Sequence, residues 1–156
     1  MIVRIELAGT ADLDEWAGLR ARLWPDGSRS EHRKDLVDLM GEPQAVVGFL
    51  ARDLRGTLAG FAEAALRIDY VNGCETSPVA FLEGLYVVEE RRRQGIGRGL
   101  VEAVEAWARL KGCTELASDA LLENTVSHAM HIALDFEETE RVVFFRKVLD
   151  PAPRLS

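Results

Sequence analysis

The chain has little of what would tie it to a membrane, a disulfide scaffold or a nucleic acid. No apolar run approaches the roughly 20 residues that cross a bilayer. The opening stretch from Met1 to Leu7 sets Arg4 and Glu6 among apolar neighbours, which reads as a first strand and lacks the long apolar core of a signal peptide. A cytoplasmic location is expected. There are only two cysteines, Cys74 and Cys113, too few for a disulfide framework and without paired metal spacing, so both are read as small reduced hydrophobes and no metal is expected. A formal charge of −7 argues against a nucleic-acid partner, because phosphate binding needs a basic face. The same charge suits attraction of a cationic ligand.

What is present describes one globular unit. At 156 residues, with 47% hydrophobic and 29% charged residues, the chain can bury one core but not two. Residues 1–150 read as a single domain and residues 151–156 as a tail, with no repeat, low-complexity tract or linker before it. Leu13, Trp16, Leu19 and Leu23 recur at helical spacing, and Pro25 stops that helix. Ser28 and Glu31 form a capping-box pattern for a second helix running to about Met40. The stretches Gln44 to Arg52 and Thr57 to Arg67 read as a hairpin around the turn Asp53 to Gly56. After a loop from Asp69 to Pro78, Ala80 to Val88 is apolar on both alternating faces, as in a central strand, which makes the charge of Glu83 anomalous. A long helix from about Gly97 to Leu110 follows, with Gly112 just past its end. A short strand from Thr114 to Ser118, a helix from Asn124 to Leu134 and a final strand from Val142 to Val148 complete a mixed α/β plan. It is not the regular alternation of a dinucleotide fold.

The strongest local signal is Arg91-Arg92-Arg93-Gln94-Gly95-Ile96-Gly97-Arg98-Gly99-Leu100, between the central strand and the long helix. Glycines let main chain approach a ligand closely, the first amides of a helix point outward, and arginines add charge, so a pyrophosphate is the natural occupant. A Walker loop is excluded because no Gly-Lys-Ser/Thr follows. The Gly-x-Gly-x-Gly spacing also fits a dinucleotide fingerprint poorly. With Arg92, Gly95 and Gly97 in place, the segment resembles the signature of the GNAT superfamily of acetyltransferases. The later pattern of Asn124, Ser127, His131 and Phe136 extends the resemblance, although His131 stands where the family usually has tyrosine and Asp135 where it has glycine.

That resemblance implies a central, mostly antiparallel mixed sheet, splayed between its fourth and fifth strands and flanked by helices. It implies acetyl-CoA as co-substrate, with main-chain contacts from Leu85, Tyr86 and Val87 to the pantetheine. It also implies that Arg93, Gln94, Gly95, Ile96, Gly97 and Arg98 cradle the pyrophosphate, and that Asn124 contacts the cofactor.

For the acceptor, the residues by themselves leave alternatives. A carboxylate inside an apolar strand is costly unless a cation or hydrogen-bond donor meets it, so Glu83, followed by Gly84 as at a bulge, faces either a ligand or an arginine such as Arg67. Asp119 is either a site carboxylate or a helix cap. Glu140 can be a solvated turn residue, and Tyr70 and Trp24 core or rim aromatics. The stretches Leu19 to Pro25, Asp69 to Cys74, Ser77 to Val87, Ala117 to Asp119 and Phe136 to Arg141 resemble the aminoglycoside 6′-N-acetyltransferases of the chromosomal Gram-negative type. This resemblance implies an acceptor site lined by Trp24, Tyr70, Glu83, Asp119 and Glu140, with Glu83 and Asp119 in catalytic roles. It further implies direct acetyl transfer to the 6′-amine, antibiotic resistance and a homodimer. Another small amine, a peptide N-terminus, or acyl-CoA binding without turnover are the alternatives.

Overall fold

A computed structural model describes residues 2–152; Met1 and the end of the expected tail lie outside the described residues. Strand β1 (Val3–Leu7) leads through a 3₁₀ turn (Thr10–Asp12) into helices α1 (Leu13–Leu23) and α2 (Arg29–Met40). Strands β2 (Val46–Asp53), β3 (Leu58–Arg67) and β4 (Val79–Val87) follow. Helix α3 (Ile96–Leu110), strand β5 (Leu116–Ser118) and helix α4 (Thr125–Ala133) complete the regular structure. The strands lie in chain order, with β1 to β4 antiparallel and β5 parallel to β4.

Local chemistry sets the element boundaries. Ser28 accepts a hydrogen bond from the Glu31 amide at 3.1 Å and starts α2, although Glu31 answers through the Ser28 hydroxyl rather than the Ser28 amide. In the hairpin turn, the Asp53 carboxylate accepts from the Arg55 and Thr57 amides at 2.9 and 3.0 Å, and Gly56 supplies the left-handed residue at φ +83°. Cys74 and Cys113 are both free thiols.

The sheet is covered on both faces. Gly48, Glu63 and Gly84 stand in one row across β2, β3 and β4, and α1 lies on that side with Trp16 against Gly48 and Trp24 against Gly84. Three residues along β3 the direction reverses, and Gly60 faces Leu100 of α3. Trp16, Leu36, Leu50, Phe61, Leu100 and Val104 form the fully buried centre.

The expected final strand from Val142 to Val148 does not form. Residues 137–152 are exposed and without regular structure, and the segment pairs with neither edge strand, β1 nor β5. A strand needs a partner for its main-chain donors and acceptors, and the chain leaves the body after Thr139, whose side chain lies over Gly73. The β-pattern is present in the residues, but among the described residues no strand pairs with it.

A side-chain carbon at Gly60 would sit 2.6 Å from the Tyr86 carbonyl oxygen and 3.3 Å from Val87 Cα, both main chain. Gly60→Ala is therefore expected to force β3 from β4 and to lower unfolding free energy by about 1–3 kcal/mol. Urea titration checks this, and an unchanged midpoint would show that the strands are not so close.

Candidate active site

Pairing between β4 and β5 covers only Ala80 with Leu116, Phe81 with Ala117 and Leu82 with Ser118. Beyond Leu82, β4 continues to Val87 bonded to β3 alone, so the edge carrying Leu85, Tyr86 and Val87 is open on the β5 side. At the mouth of this gap, Ser118 and His131 meet at 2.8 Å through Oγ and Nε2. His131 Nδ1 lies 2.7 Å from the Ser127 carbonyl, an arrangement that puts the ring proton on Nδ1 and leaves Nε2 to accept from Ser118.

The open edge runs directly into the glycine loop. After a 3₁₀ turn (Glu89–Arg91), Arg93 and Gly95 adopt φ of +63° and +82°, and Gly95 caps α3 without any side-chain cap. The first bond across this start joins the Gly99 amide to the Gly95 carbonyl at 3.0 Å, so the Ile96, Gly97 and Arg98 amides have no helical acceptor. Nothing lies within 4 Å of where a Gly95 side chain would begin. Three amides without a helical acceptor, at the positive end of a helix dipole beside this open position, suit a diphosphate.

The arginines contribute less charge than their number suggests. Arg91 turns inward to Asp53 at 3.2 Å, and Arg92 donates to the Val87 carbonyl at 2.8 Å. Arg98 pairs with Asp135 at 3.3 Å and reaches the Ala133 carbonyl. Arg93 and Gln94 are exposed. Asn124 caps α4 by accepting from the Ser127 amide at 3.1 Å.

On the acceptor side, the pairing of β3 with β4 passes from Glu63 with Gly84 to Ala64 with Leu82. Glu83 is thus the extra residue of a β-bulge. A bulge turns its extra side chain out of the regular alternation. The Glu83 side chain is 38% exposed and pairs with Arg67 at 3.0 Å, the arginine the sequence offered as its alternative partner. Arg67 in turn lies 3.5 Å from the centroid of the Phe81 ring.

Glu83 and Trp24 come together on a cavity of about 390 Å³, together with Arg20, His32 and Glu63. Tyr70, Asp119 and Glu140 are not among its lining residues. Tyr70 is exposed on the loop before β4, which is held by Glu115 accepting from the Glu75 and Thr76 amides at 2.9 and 2.8 Å. Hydrogen bonding, first from the Thr76 hydroxyl, keeps the Glu115 carboxyl below its ordinary range. Asp119 follows β5 directly and is exposed, and the cap of α4 is Asn124 instead. Glu140 is exposed at the start of the C-terminal arm.

Three polar residues of this cavity escape a reading of the sequence. Glu63 is 3% exposed, Arg20 8% and His32 6%. Burial pushes the Glu63 carboxyl up to about 7, against the pull of the Arg20 guanidinium bonded to it. Its signal was available, because Glu63 interrupts the apolar run of β3 as Glu83 interrupts that of β4. Among the described residues no group of His, Cys, Asp and Glu could hold a metal ion.

The pattern of the Acetyltransferase (GNAT) family matches residues 12–136. An aminoglycoside N(6′)-acetyltransferase type 1 of Serratia marcescens is 52% identical over 138 residues, covering 88% of this chain and 94% of that protein. The solved structure of AAC(6′)-Iy in complex with the bisubstrate analog CoA-S-monomethyl-acetylneamine superposes with a TM-score of 0.89 at 42% identity, covering 96% of this chain and all (100%) of that one. The structure of the aminoglycoside antibiotic 6′-N-acetyltransferase AAC(6′)-Ih from Acinetobacter baumannii gives a TM-score of 0.90 at 45% identity, with coverage of 96% and 100%. The open β4 edge, the uncapped start of α3 and the match over most of the chain agree: this protein belongs to the GNAT family of acetyltransferases.

Proposed function

We propose that the protein transfers an acetyl group from acetyl-CoA to the 6′-amine of aminoglycosides, by direct attack in a ternary complex, and so confers resistance to these antibiotics in the cytoplasm. The observation that carries this reading is the bulge at Glu83. It aims a carboxylate into a cavity beside the place where β4 loses its partner. A relative that binds a CoA-aminoglycoside bisubstrate analog supports the choice of acceptor.

In this reading residues 1–150 act as one catalytic domain. Main chain of Leu85, Tyr86 and Val87 holds the pantetheine, the amides and side chains from Arg93 to Arg98 hold the diphosphate, and Asn124 contacts the cofactor. Trp24 and Tyr70 give aromatic faces to the sugar rings, while Asp119 and Glu140 position its other ammonium groups. Acetyl-CoA supplies the acetyl group as a thioester. Glu83 accepts the proton of the acceptor ammonium, directly or through one water, so that a neutral nitrogen faces the carbonyl. Exchange of Arg67 for the ligand cation frees the carboxylate for this role. Departure of the sulfur is undemanding, because a free thiol has a pKa of roughly 8.5 and leaves tolerably as thiolate.

The C-terminal arm gives this enzyme a second copy as partner. Val143, Phe144 and Phe145 are 74%, 89% and 92% exposed, and β5 offers a three-residue edge with no further strand beyond it among the described residues. Contiguous exposed apolar residues with strand character and an open sheet edge are complementary in two copies. We therefore propose a homodimer in which each arm pairs with the partner's sheet.

Glu83→Gln is expected to lower kcat by about 100-fold or more with both substrates saturating, and near-normal turnover would remove Glu83 as the base. In a susceptible bacterium the protein should protect against aminoglycosides that carry a free 6′-amine and not against those with a hydroxyl there; equal protection would defeat the regiochemistry. Replacing Phe144 and Phe145 together with Glu should halve the mass measured by light scattering, whereas an unchanged mass would exclude the arm from the dimer.

A further inference from the structure

The row Gly48, Glu63, Gly84 places one buried carboxylate between two bare positions. The rings of Trp16 and Trp24 lie on those positions, the latter so closely that a Gly84 side chain would begin 2.6 Å from Trp24 Cη2. Arg20 reaches Glu63 from α1, and its guanidinium lies 4.8 Å from the centroid of the Trp24 ring. Arg20 Nε also donates to His32 Nδ1 at 3.3 Å.

That last bond fixes a tautomer. Arginine can only donate, so His32 Nδ1 is the acceptor and the ring proton sits on Nε2. Nε2 then donates to the Trp24 carbonyl at 2.9 Å. A side chain at Gly27 would begin 2.9 Å from the same nitrogen, so the imidazole has little room to turn. Trp24 itself ends α1: its amide still donates to the Arg20 carbonyl at 2.7 Å, but its φ of −123° and ψ of 78° have left the helix. A chain of three directional bonds therefore runs from the sheet to the residue whose ring walls the cavity.

We propose that Glu63, Arg20 and His32 are positioning residues for the acceptor, which act by holding Trp24 against the cavity opposite Glu83. This rests on the reading of Trp24 as a wall of the aminoglycoside site. Stability alone is a poor reason for such a group, because a buried ion pair gives little over well-packed apolar residues of the same volume. The network instead supplies direction: it runs from a strand to the main-chain carbonyl of Trp24, and its three members all line the same cavity as the Trp24 ring.

The test compares His32→Leu, which removes both bonds, with His32→Gln, whose amide can still donate to the Trp24 carbonyl. Steady-state kinetics are run with kanamycin and acetyl-CoA on the intact protein, and thermal midpoints are recorded in parallel. His32→Leu is expected to raise KM for kanamycin by about tenfold, the worth of one or two such bonds, with kcat and KM for acetyl-CoA nearly unchanged. His32→Gln should restore most of the loss. Glu63→Gln, which keeps the shape of the side chain, should move the same constant in the same direction, and serves if His32→Leu does not fold. A lowered thermal midpoint with an unchanged KM for kanamycin, or a fall in kcat with both KM values altered alike, would overturn the proposal. Failure of the wild-type chain to acetylate kanamycin would instead strike at the function itself.

Discussion

Strand pairing in this protein stops early, and most of its chemistry is placed by that stop. Strand β5 bonds to β4 over three residue pairs and then leaves it, so the remaining half of β4 keeps an edge that no strand covers among the described residues, with Arg92 donating to its last carbonyl at Val87. Main-chain amides and carbonyls on such an edge must be satisfied by something. An extended ligand arm would be the natural complement, and the same strand leads from there to the uncapped start of α3. The bulge at Glu83 sits immediately after the last paired residue, so one irregularity opens the gap and the next aims a carboxylate beside it.

Two kinds of charge within the sheet do different work. Glu83 is lifted out of the strand alternation and remains half exposed, where a cation from the protein or from a ligand can reach it. Glu63, one strand away in the neighbouring row, keeps to the alternation and is buried, with a carboxyl that burial makes hard to ionise. Their proximity raises the cost of ionising Glu63 further. The glycines beside them are as important as the acids, since Gly48 and Gly84 leave the space that two tryptophan rings occupy.

Much of the fold was legible because its signals are local. The Ser28 cap, the Asp53 to Gly56 turn, the stripe of α3 and the glycine loop each depend on residues within a few positions of one another, and each stands where the sequence put it. The bulge was legible too, from a charge followed by glycine in an apolar run. Val142 to Val148 misled because a strand is a relation between two segments, and composition describes only one of them. The Arg20, His32 and Glu63 cluster went unread for a similar reason: its members are separated by 12 and 43 residues along the chain, and only the packing of α1 and α2 on the sheet joins them. Trp24 and Glu83 were expected together and share a cavity, whereas Tyr70, Asp119 and Glu140 stand apart from its lining.

The inward turn of Arg91 onto Asp53, and the capture of Arg92 and Arg98 by carbonyl oxygens, change what kind of attraction the glycine loop exerts. Fixed dipoles of the main chain carry more of it than mobile ions do. Dissolved salt weakens the pull between free ions at a distance far more than a bond to an amide in contact, so a grip on an anion built this way would hold nearly as well at high ionic strength as at low.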